Sequence, residues 1–569
     1  DFCLSRGLGD VYKRQDAEVT QAVSIVDKNN KVLYTISEWK EVDEKTGGYT
    51  VTFKADAMYT VDLSYSDLCG NTANVTAADD TRSFVIDSQA PVIEVTYNDN
   101  SENKVKDHYY KGNREATVTV KDISLLYANT VENTGKEIKV SGITETVRAT
   151  DIAGNEVKSP VQTGNWELDN STKVFSKKIT FQADAIYTFE VNGTDICENT
   201  SEYKDEKSDI TYKAADGTSF VIDRQAPVVT VEYNDSSKLQ DHYYSDTRTA
   251  TISVKDLSYV YENQLAKQAD ATKTDVDTVT NRMKLALAAK DAAGNDINAM
   301  TQSGWSFADG TYRYVITYGE AAGSKVDAIF TSAFSGNDIY TRRASISYQD
   351  SEEKNVEDSA SFVIDRKAPV ITVTYTDTGK SKDHFYNADR TAVITVDDLS
   401  YAYEDQRRTA KDVLTPQERI NLEITARDSL LNALTGEKAQ SESNWSFANG
   451  KYTRTITFAN EAIYDFAISG SDIFAHTTLD EAVGYNTTAD NHSFVVDKTG
   501  PQVSLAYSDS NRTYYKGSRQ AVLTMTDLSM IYNDRILSGT SLYLNDAQTD
   551  GTKSDSVKTT IRLRNDDAA

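Results

Sequence analysis

Three histidines stand in nearly identical settings, and a recurring histidine is the first feature that invites a metal or catalytic role. His108, His242 and His384 lie in the sequences DHYY, DHYY and DHFY. Zinc requires three or four ligands within about 2.0–2.3 Å, which single histidines far apart in the chain do not supply. No Ser-His-Asp or Cys-His grouping can be assembled around them. We therefore predict a structural histidine beside an aromatic pair, and no catalytic or cofactor-binding residue.

Acidic residues at two recurring positions are the candidate metal ligands. Calcium needs six to eight oxygen ligands, and carboxylates supply them. One set precedes a recurring proline and the other follows the next strand: Asp87, Asp223, Asp365 and Asp497, and Asp99, Asp235, Asp377 and Asp509. If both sets converged at a boundary between units, a bound Ca²⁺ would stiffen it. The alternative is that the second set forms turns and the first pairs with Arg or Lys, since no EF-hand loop supports convergence.

Tryptophans are the candidate ligand-binding residues. One Trp precedes a strand in each of four similar stretches: Trp39, Trp166, Trp305 and Trp445. An exposed Trp can stack on a sugar ring, which favours a carbohydrate-binding role. The alternative is one large core or rim aromatic in each unit, because Trp buries a large area. Arginines at a further recurring position, Arg114, Arg248, Arg390 and Arg519, are expected to pair with a nearby carboxylate.

The cysteines do not indicate redox chemistry. Cys69 and Cys197 lie in the matching contexts YSDLCGN and GTDICEN, so they hold the same position in two different repeats. They cannot pair within one domain, and neither has a resolving thiol or a CxxC neighbour.

Comparison of the chain with itself shows the repeat that positions all these residues. The segment SFVID-x-x-A/G-P recurs with its prolines at 91, 227, 369 and 501, which are 136, 142 and 132 residues apart; the last copy reads SFVVD. This period is too long for a solenoid and fits whole domains. We predict partial units at 16–88 and 499–569, and complete units at 89–224, 225–366 and 367–498.

Within a unit the hydrophobic residues alternate with a period of two, which indicates strands with one buried face. The inward positions of the strand after each recurring arginine are Ala116, Val118 and Val120 in the first complete unit. About seven short strands with polar turns predict a two-sheet antiparallel sandwich. The fold class is therefore all-β, an elongated tandem array of such sandwiches. One helical turn is predicted at Thr415, where Pro416 and Glu418 complete a capping box.

Composition and charge exclude several function classes. The 569 residues carry 87 Asp and Glu against 60 Lys and Arg, a formal charge of −27. We expect no nucleic-acid or anionic-lipid partner for such a chain, because phosphate binding needs clustered basic residues. No apolar run approaches the 18–20 residues of a membrane span.

The first fifteen residues, DFCLSRGLGDVYKRQ, do not fit the repeat. They resemble translated adapter read-through at the edge of a metagenomic reading frame, and they lack the apolar core and cleavage site of a signal peptide. We exclude 1–15 from the fold and expect the natural N-terminus to be missing.

The repeat resembles the bacterial immunoglobulin-like (Ig-like) modules of large surface proteins from gut Firmicutes. The resemblance covers nearly all of 16–569 and rests on FVIDRQAPVVTV at Phe220, RTATISV at Arg248, SGW-x-F at Ser303 and the D-x-A-G-N turn at Asp291. It implies tandem stalk or adhesion arrays on the bacterial cell wall. The wall-sorting motif and the signal are expected outside this chain.

The leading hypothesis is a non-enzymatic extracellular stalk, a monomeric rod joined by a short D-x-x-A-P linker. Proline restricts itself and the residue before it, so the linkers are expected to be semi-rigid. One alternative is an adhesin or carbohydrate-binding module that recognises a host glycan or protein through its variable loops or tryptophans. These loops are expected at one end of a unit, the end that meets the preceding unit: 262–282, 404–421, 198–217, 340–360 and 474–492. Two other interpretations of the loops stay open: they only set the hinge between units, or they are solvated loops that vary without a function. The other alternative is the accessory region of a secreted glycosidase.

Overall fold

A computed structural model describes the chain at residues 23–26, 31–37, 40–43, 46–48, 50–61, 71, 83–132, 137–202, 210–214, 216–408, 415–436, 439–507, 513–514, 519 and 521–533. Trp39, Asp509, Cys3, Cys69 and the segment 1–15 lie outside the described residues.

The first complete unit folds as two packed sheets. One contains, in spatial order, Val161–Thr163, Val174–Phe181, Arg114–Lys121, Val92–Tyr97 and Thr211–Tyr212, with Glu167–Asp169 also on Val174–Phe181. The other contains Ile143–Thr150, Ala185–Thr194, Ser219–Ile222, Tyr109–Tyr110 and Lys104–Lys106, with Thr200–Ser201 on Ala185–Thr194.

The next two units repeat this arrangement. In the second unit the first sheet contains Met300–Gln302, Thr311–Tyr318, Arg248–Lys255, Val228–Asn234 and Ser345–Asp350, with Ser306–Ala308 on Thr311–Tyr318. The second sheet contains Lys238–Gln240, Tyr243–Tyr244, Ser361–Ile364, Ala328–Gly336 and Met283–Lys290. A small hairpin joins Glu320–Ala321 to Ser324–Lys325. In the third unit the first sheet contains Ser441–Glu442, Lys451–Phe458, Arg390–Asp397, Val370–Thr376 and Gly484–Tyr485, with Ser446–Ala448 on Lys451–Phe458. The second sheet contains Lys380–Lys382, Phe385–Tyr386, Ser493–Val496, Ala462–Ser471, Ile420–Arg427 and Ala433–Leu434, with Thr477–Thr478 on Ala462–Ser471.

The partial units contribute shorter pieces. Residues 23–86 hold Val23–Val26, Val32–Ile36 and Val51–Phe53 in one sheet, and the pairs Lys40–Asp43 with Thr46–Gly48 and Ala57–Thr60 with Ser83–Ile86. Gln502–Tyr507 pairs with Ala521–Thr526 in the last unit.

The pairing is mainly antiparallel, with parallel contacts at defined places. Ser345–Asp350 runs parallel to Val228–Asn234, and Tyr243–Tyr244 runs parallel to Ser361–Ile364. The predicted alternation is confirmed, because Ala116, Val118 and Val120 are fully buried.

A buried arginine lies in the core of each complete unit. The Arg114 guanidinium lies 2.9 Å from Asp99 and 3.1 Å from Asp216, and its carbon lies 3.7 Å from the ring centroid of Tyr97. Arg248 contacts Asp235 and Asp358 in the same way, and Arg390 contacts Asp377 and Asp490. The predicted arginine–carboxylate pairs are confirmed in these units. Asp99, Asp235 and Asp377 therefore bind arginine, and the backbone carbonyl oxygens of Asp235 and Asp377 also accept turn hydrogen bonds.

Short helices follow the arginine strands: Ile123–Tyr127, Leu257–Ala269, Leu399–Arg407 and Leu528–Tyr532. Each begins after an aspartate whose carboxylate accepts a hydrogen bond from a backbone N–H of the first turn, which is a favourable N-cap. Further helical segments are Ala128–Glu132, Asp277–Arg282, Thr415–Arg419 and Asp480–Ala482. Thr415–Arg419 confirms the predicted helical turn.

Candidate functional site at the joints between units

The boundaries between units form a repeated contact site, and we call them joints one to four in chain order. At each joint the aspartate before the recurring proline accepts a hydrogen bond from the backbone N–H of the second helix residue in the following unit. The donors are Ser124, Ser258, Ser400 and Ser529, and the acceptors are Asp87, Asp223, Asp365 and Asp497, at 2.9–3.3 Å. The linker is thereby bound to the start of the next unit's helix.

The last aromatic residue of that helix motif reaches back to the preceding unit. The Tyr261 hydroxyl lies 3.0 Å from Ser219 Oγ and 3.2 Å from His108 Nδ1. Tyr403 lies 3.2 Å from His242 Nδ1 and Tyr532 lies 3.2 Å from His384 Nδ1. These three tyrosines are buried. The recurring histidine therefore contacts the neighbouring unit.

Each of these histidines adopts a left-handed backbone conformation. The φ angles of His108, His242 and His384 are 73°, 76° and 71°. Such angles are uncommon outside glycine. The His108 N–H donates to Asp216, which is also bound to Arg114, and its Nδ1 lies 2.8 Å from the Ser219 carbonyl oxygen. The core arginine network thus holds the strained residue that forms the joint.

A second aromatic contact comes from a loop in the following unit. The Tyr340 ring lies 6.3 Å from that of Tyr109, and its hydroxyl donates to the carbonyl oxygen of Tyr110 at 3.2 Å. At joint three the equivalent Phe474 ring lies 6.2 Å from Tyr243. At joint one the equivalent residue is Cys197, whose thiol is exposed.

A third contact joins two motifs that the sequence analysis singled out separately. The hairpin after Trp305 turns at Gly310, and a Cβ added there would lie 3.0 Å from the backbone of Ile152 and Ala153 in the D-x-A-G-N turn of the unit before. At joint three, Gly450 approaches Ala293 in the same way, with 2.8 Å to its backbone nitrogen. Only glycine permits this approach of two backbones without displacement.

Carboxylates gather at the joints, and the structure brings part of the proposed calcium set together. Ligand oxygens of Asp87, Asp122 and Asp195 lie within 4.8 Å of one another, as do those of Asp365, Asp398 and Asp472. Among the described residues, neither group contains Asp99 or Asp377. In the described part of the chain, these two groups therefore contain members of the Asp87 set but none of the Asp99 set, so they do not show the predicted convergence of the two sets.

Joint two has a different charge balance at the equivalent place. The Arg342 guanidinium lies 3.4 Å from Asp223 and forms an ion pair with Asp338. The equivalent residues at joints one and three are Asn199, which donates to Asp195, and His476, whose Nδ1 lies 2.7 Å from Asp472. Joint two thus contains a permanent cation.

Burial dominates the titration of these groups. It raises the pKa of Asp223 to about 6, although the Gln225 N–H and Arg342 act in the opposite direction. Burial and the neighbouring Asp223 raise the pKa of Asp256 to about 8. The pKa values of Asp122, Asp365 and Asp398 are raised mainly by the same desolvation. Removing carboxylates from water disfavours their charged form.

The described tryptophans differ in how far they are buried. Trp166 and Trp305 are half-buried, and Trp445 is only 9% exposed. Lys177 Nζ lies 5.5 Å from the Trp166 ring, and the Trp305 ring lies 5.1 Å from that of Tyr314. Trp445 packs in the third core, which leaves little of its ring for a ligand.

Sequence reasoning missed the joint helices and their tyrosines. The signal was present as D-[I/L]-S-x-x-Y, which recurs at 122–127, 256–261, 398–403 and 527–532. It places a capping aspartate five residues before the tyrosine that contacts the preceding unit.

No model of a known protein family matches the chain, and no curated protein matches it. The paired-sheet topology and its repetition decide the fold. The chain is a tandem array of Ig-like sandwiches. Similar solved structures include FdeC, an Escherichia coli adhesin, at 14% identity over 73% of this chain and 98% of that chain, with a TM-score of 0.20. Another is invasin, a bacterial integrin-binding protein, at 10% identity over 86% and 78%, with a TM-score of 0.22.

A third is the complex of Dpr2 Ig1-Ig2 with DIP-Theta Ig1-Ig3, at 6% identity over 70% of this chain and 100% of that chain, with a TM-score of 0.26. At these identities and TM-scores the likeness carries no argument about binding or activity. Among the described residues, no helix has both the length and the apolar character needed to cross a membrane.

Proposed function

We propose that the chain is a non-enzymatic spacer, an extracellular stalk of a bacterial surface protein, whose joints keep successive Ig-like units in a fixed relative orientation. The observation that carries this proposal is the recurrence of one contact set at joints two and three: the Asp-to-helix bond, the Tyr–His contact, the aromatic loop residue and the glycine hairpin. A flexible linker would need none of these. Units fixed in this way extend the array with each repeat.

Small-angle scattering on the full chain tests the proposal. We expect an elongated particle whose maximum dimension is set by units in series. A double variant, Tyr261→Ala with Tyr403→Ala, removes one tyrosine from each of two joints and should broaden the distribution of distances while each sandwich stays folded. A compact particle, or a distribution that the double variant leaves unchanged, would contradict a rigid spacer.

The adhesin alternative has one observation in its favour. Trp166 and Trp305 are half-buried and therefore keep part of each ring exposed. A glycan array probed with the full chain tests this alternative. Binding that disappears in Trp166→Ala and Trp305→Ala, but persists in Trp445→Ala, would support it. The absence of binding to any glycan, or loss of binding only in Trp445→Ala, would count against it.

Calcium stays a proposal for joints one and three only. Their carboxylate groups lack the arginine that joint two provides, and calcium accepts such oxygen ligands together with backbone carbonyls and water.

A further inference from the structure

Joints two and three share one contact set, but joint two has further polar contacts between its units. The Tyr340 hydroxyl donates to the Tyr110 carbonyl oxygen at 3.2 Å, and Tyr340 is buried. At joint three the equivalent residue is Phe474, which is half-buried and has no hydroxyl to donate to the Tyr244 carbonyl oxygen. The same loop position therefore supplies a ring and a hydrogen bond at joint two, and a ring alone at joint three.

A second difference lies two residues further along the same loop. Arg342 Nη1 donates to the carbonyl oxygen of Asp223, the linker aspartate, at 3.0 Å, and Nη2 lies 3.4 Å from the carboxylate of that residue. Arg342 also forms an ion pair with Asp338 in its own unit. A planar guanidinium can bind several acceptors at once. It therefore connects the linker to the following unit.

The linker carbonyl group receives a side-chain donor at joint one as well. There Asn199 Nδ2 donates to the Asp87 carbonyl oxygen at 3.3 Å. At joint three the equivalent residue is His476, whose Nδ1 lies on Asp472 of its own unit. Within the described ranges, no side chain donates to the carbonyl oxygen of Asp365. Joint three therefore lacks a bond that joints one and two both have.

Joint three has one contact of a different kind. Burial raises the pKa of Tyr243, and the neighbouring Arg407 acts in the opposite direction. Arg407 is exposed, whereas Tyr340 at joint two is buried. Because water competes for an exposed donor, the Arg407 contact contributes less than the buried hydroxyl does.

We propose that joint three is the hinge of the array, the place where it bends first, and that the loop positions of Tyr340 and Arg342 set the stiffness of each joint. The proposal rests on the proposed function, which places the units in series, and adds that the joints are unequal. A hydrogen bond shifts an equilibrium between a docked and a bent joint by about fivefold. Joint two has two such bonds that joint three lacks.

Distances between units in the natural chain provide the first test. Equivalent outward positions on the second sheet of the three complete units are held by Glu190, Ala333 and Ala467. Spin labels at these positions, in a chain whose own cysteines are replaced by serine, report joint two through the first pair and joint three through the second. In EDTA, we expect pulsed EPR to show a wider distance distribution across joint three. Equal widths, or a wider distribution across joint two, would overturn the proposal.

Exchanging the loop residues between the two joints provides the second test. Tyr340→Phe with Arg342→His gives joint two the residues of joint three, and Phe474→Tyr with His476→Arg does the reverse. We expect the first variant to widen the distribution across joint two and the second to narrow it across joint three. Arg343→His makes the same chemical change at an exposed neighbour and should leave both widths unchanged. Exchanged loops that leave both widths at their natural values would overturn the proposal.

Folding of the second unit is checked separately, because Arg342→His also removes the ion pair with the buried Asp338. Protection of Arg248–Lys255 from hydrogen exchange reports that this unit is folded. If that protection is lost, the joint-three variant decides alone: a narrower distribution supports the proposal, and an unchanged one overturns it.

These readouts separate the hinge proposal from the spacer proposal. Narrow distributions of equal width at both joints would retain the spacer and contradict the hinge. A wide distribution at joint three alone, in a chain that scattering shows to be compact, would retain the hinge and contradict the rigid spacer. Equally wide distributions at both joints would contradict both.

Discussion

Tyr261 places its hydroxyl oxygen 3.2 Å from Nδ1 of His108 in the unit before it. His108 makes this contact from a left-handed backbone conformation, with φ at 73°. The same pair recurs as Tyr403 with His242 and as Tyr532 with His384. A strained residue kept at three equivalent places indicates that its side chain is required there. That side chain forms the contact between the two units.

Tyr261→Phe should weaken joint two and leave the sandwiches intact. The ring still packs against Tyr109, but the hydroxyl contacts with Ser219 and His108 are lost. We expect a loss of about 1 kcal/mol in coupling between the units, the usual contribution of a hydrogen bond. Hydrogen exchange at 108–110 and 219–222 measures it. Tyr314→Phe, which loses only an exposed bond to Gln302, is the control, and an equal effect in both variants would count against the joint.

Arg114→Met should destabilise the first unit strongly. The Asp216 side chain is fully buried, and without the guanidinium it lacks its main counter-charge. Breaking a buried ion pair on one side costs about 3–5 kcal/mol. Chemical denaturation followed by exchange in the first unit measures the loss. Lys178→Met, which removes an exposed pair with Glu115, should produce no measurable change. A small effect of Arg114→Met would mean that Asp216 finds other partners.

How much of this could be predicted from the sequence depends on whether the contact is local. The alternation of Ala116, Val118 and Val120 predicts their burial, because strand periodicity acts between neighbouring residues. The arginine pairing was predictable as a class, since a buried guanidinium requires a carboxylate. The role of His108 was not, because its partner lies 153 residues away in another unit. Two positions so far apart in the chain come together only in the folded structure, so the sequence pattern of either one does not reveal the contact.

The joint helices were hidden for a different reason. Leu257–Ala269 is short compared with its unit, so its period of 3.6 is lost when a whole repeat is scanned. Its capping aspartate, Asp256, was visible as a recurring residue, but the sequence alone gave no reason to prefer a helix to a turn. The variable loops were predicted as a ligand face, as segments that only set the hinge between units, or as solvated loops that vary without a function. Tyr340 and Phe474, which begin two of these loops, contact the preceding unit, and this favours the second alternative at those two places.

Stability should depend on pH through Asp256. Its pKa is raised from the ordinary value to about 8 by burial and by Asp223. Between about pH 4 and pH 8 the folded state therefore binds more protons than the unfolded state, so the free energy of unfolding falls as pH rises. Asp256→Asn keeps an N-capping oxygen and cannot ionise, so it should reduce this slope and be no less stable than the natural chain at pH 8.

Thermal unfolding across pH 4–8 measures the slope. The groups facing Asp256 are Asp223, Asp338 and Arg342, and they remain in the variant. Asp270→Asn is the control: its carboxylate accepts bonds from Thr272 that lower its pKa, so its contribution is lost only below about pH 4. An Asp256→Asn slope equal to that of the natural chain would contradict the prediction.

Calcium should distinguish the joints if it binds at the carboxylate groups. Millimolar calcium should slow hydrogen exchange around Asp365, Asp398 and Asp472, and EDTA should reverse the effect. Joint two should not respond, because the Arg342 cation already contacts Asp223 and Asp338. Asp398→Asn should abolish the response at joint three. Exchange that is identical with calcium and with EDTA at every joint would exclude the calcium hypothesis.

Gly450→Ala should lower the free energy of unfolding by more than the left-handed backbone conformation alone explains. Gly450 and Gly304 share a φ of 77°, so the left-handed conformation destabilises alanine at either position by the same amount, about 1–2 kcal/mol. A Cβ at Gly304 meets nothing within 4 Å, whereas a Cβ at Gly450 lies 2.8 Å from the Ala293 nitrogen across joint three. Because that neighbour is backbone, the two units must separate. Gly450→Ala should therefore also accelerate exchange at 291–295, and Gly304→Ala should not. Equal effects at 291–295 would show that the hairpin does not hold the units together.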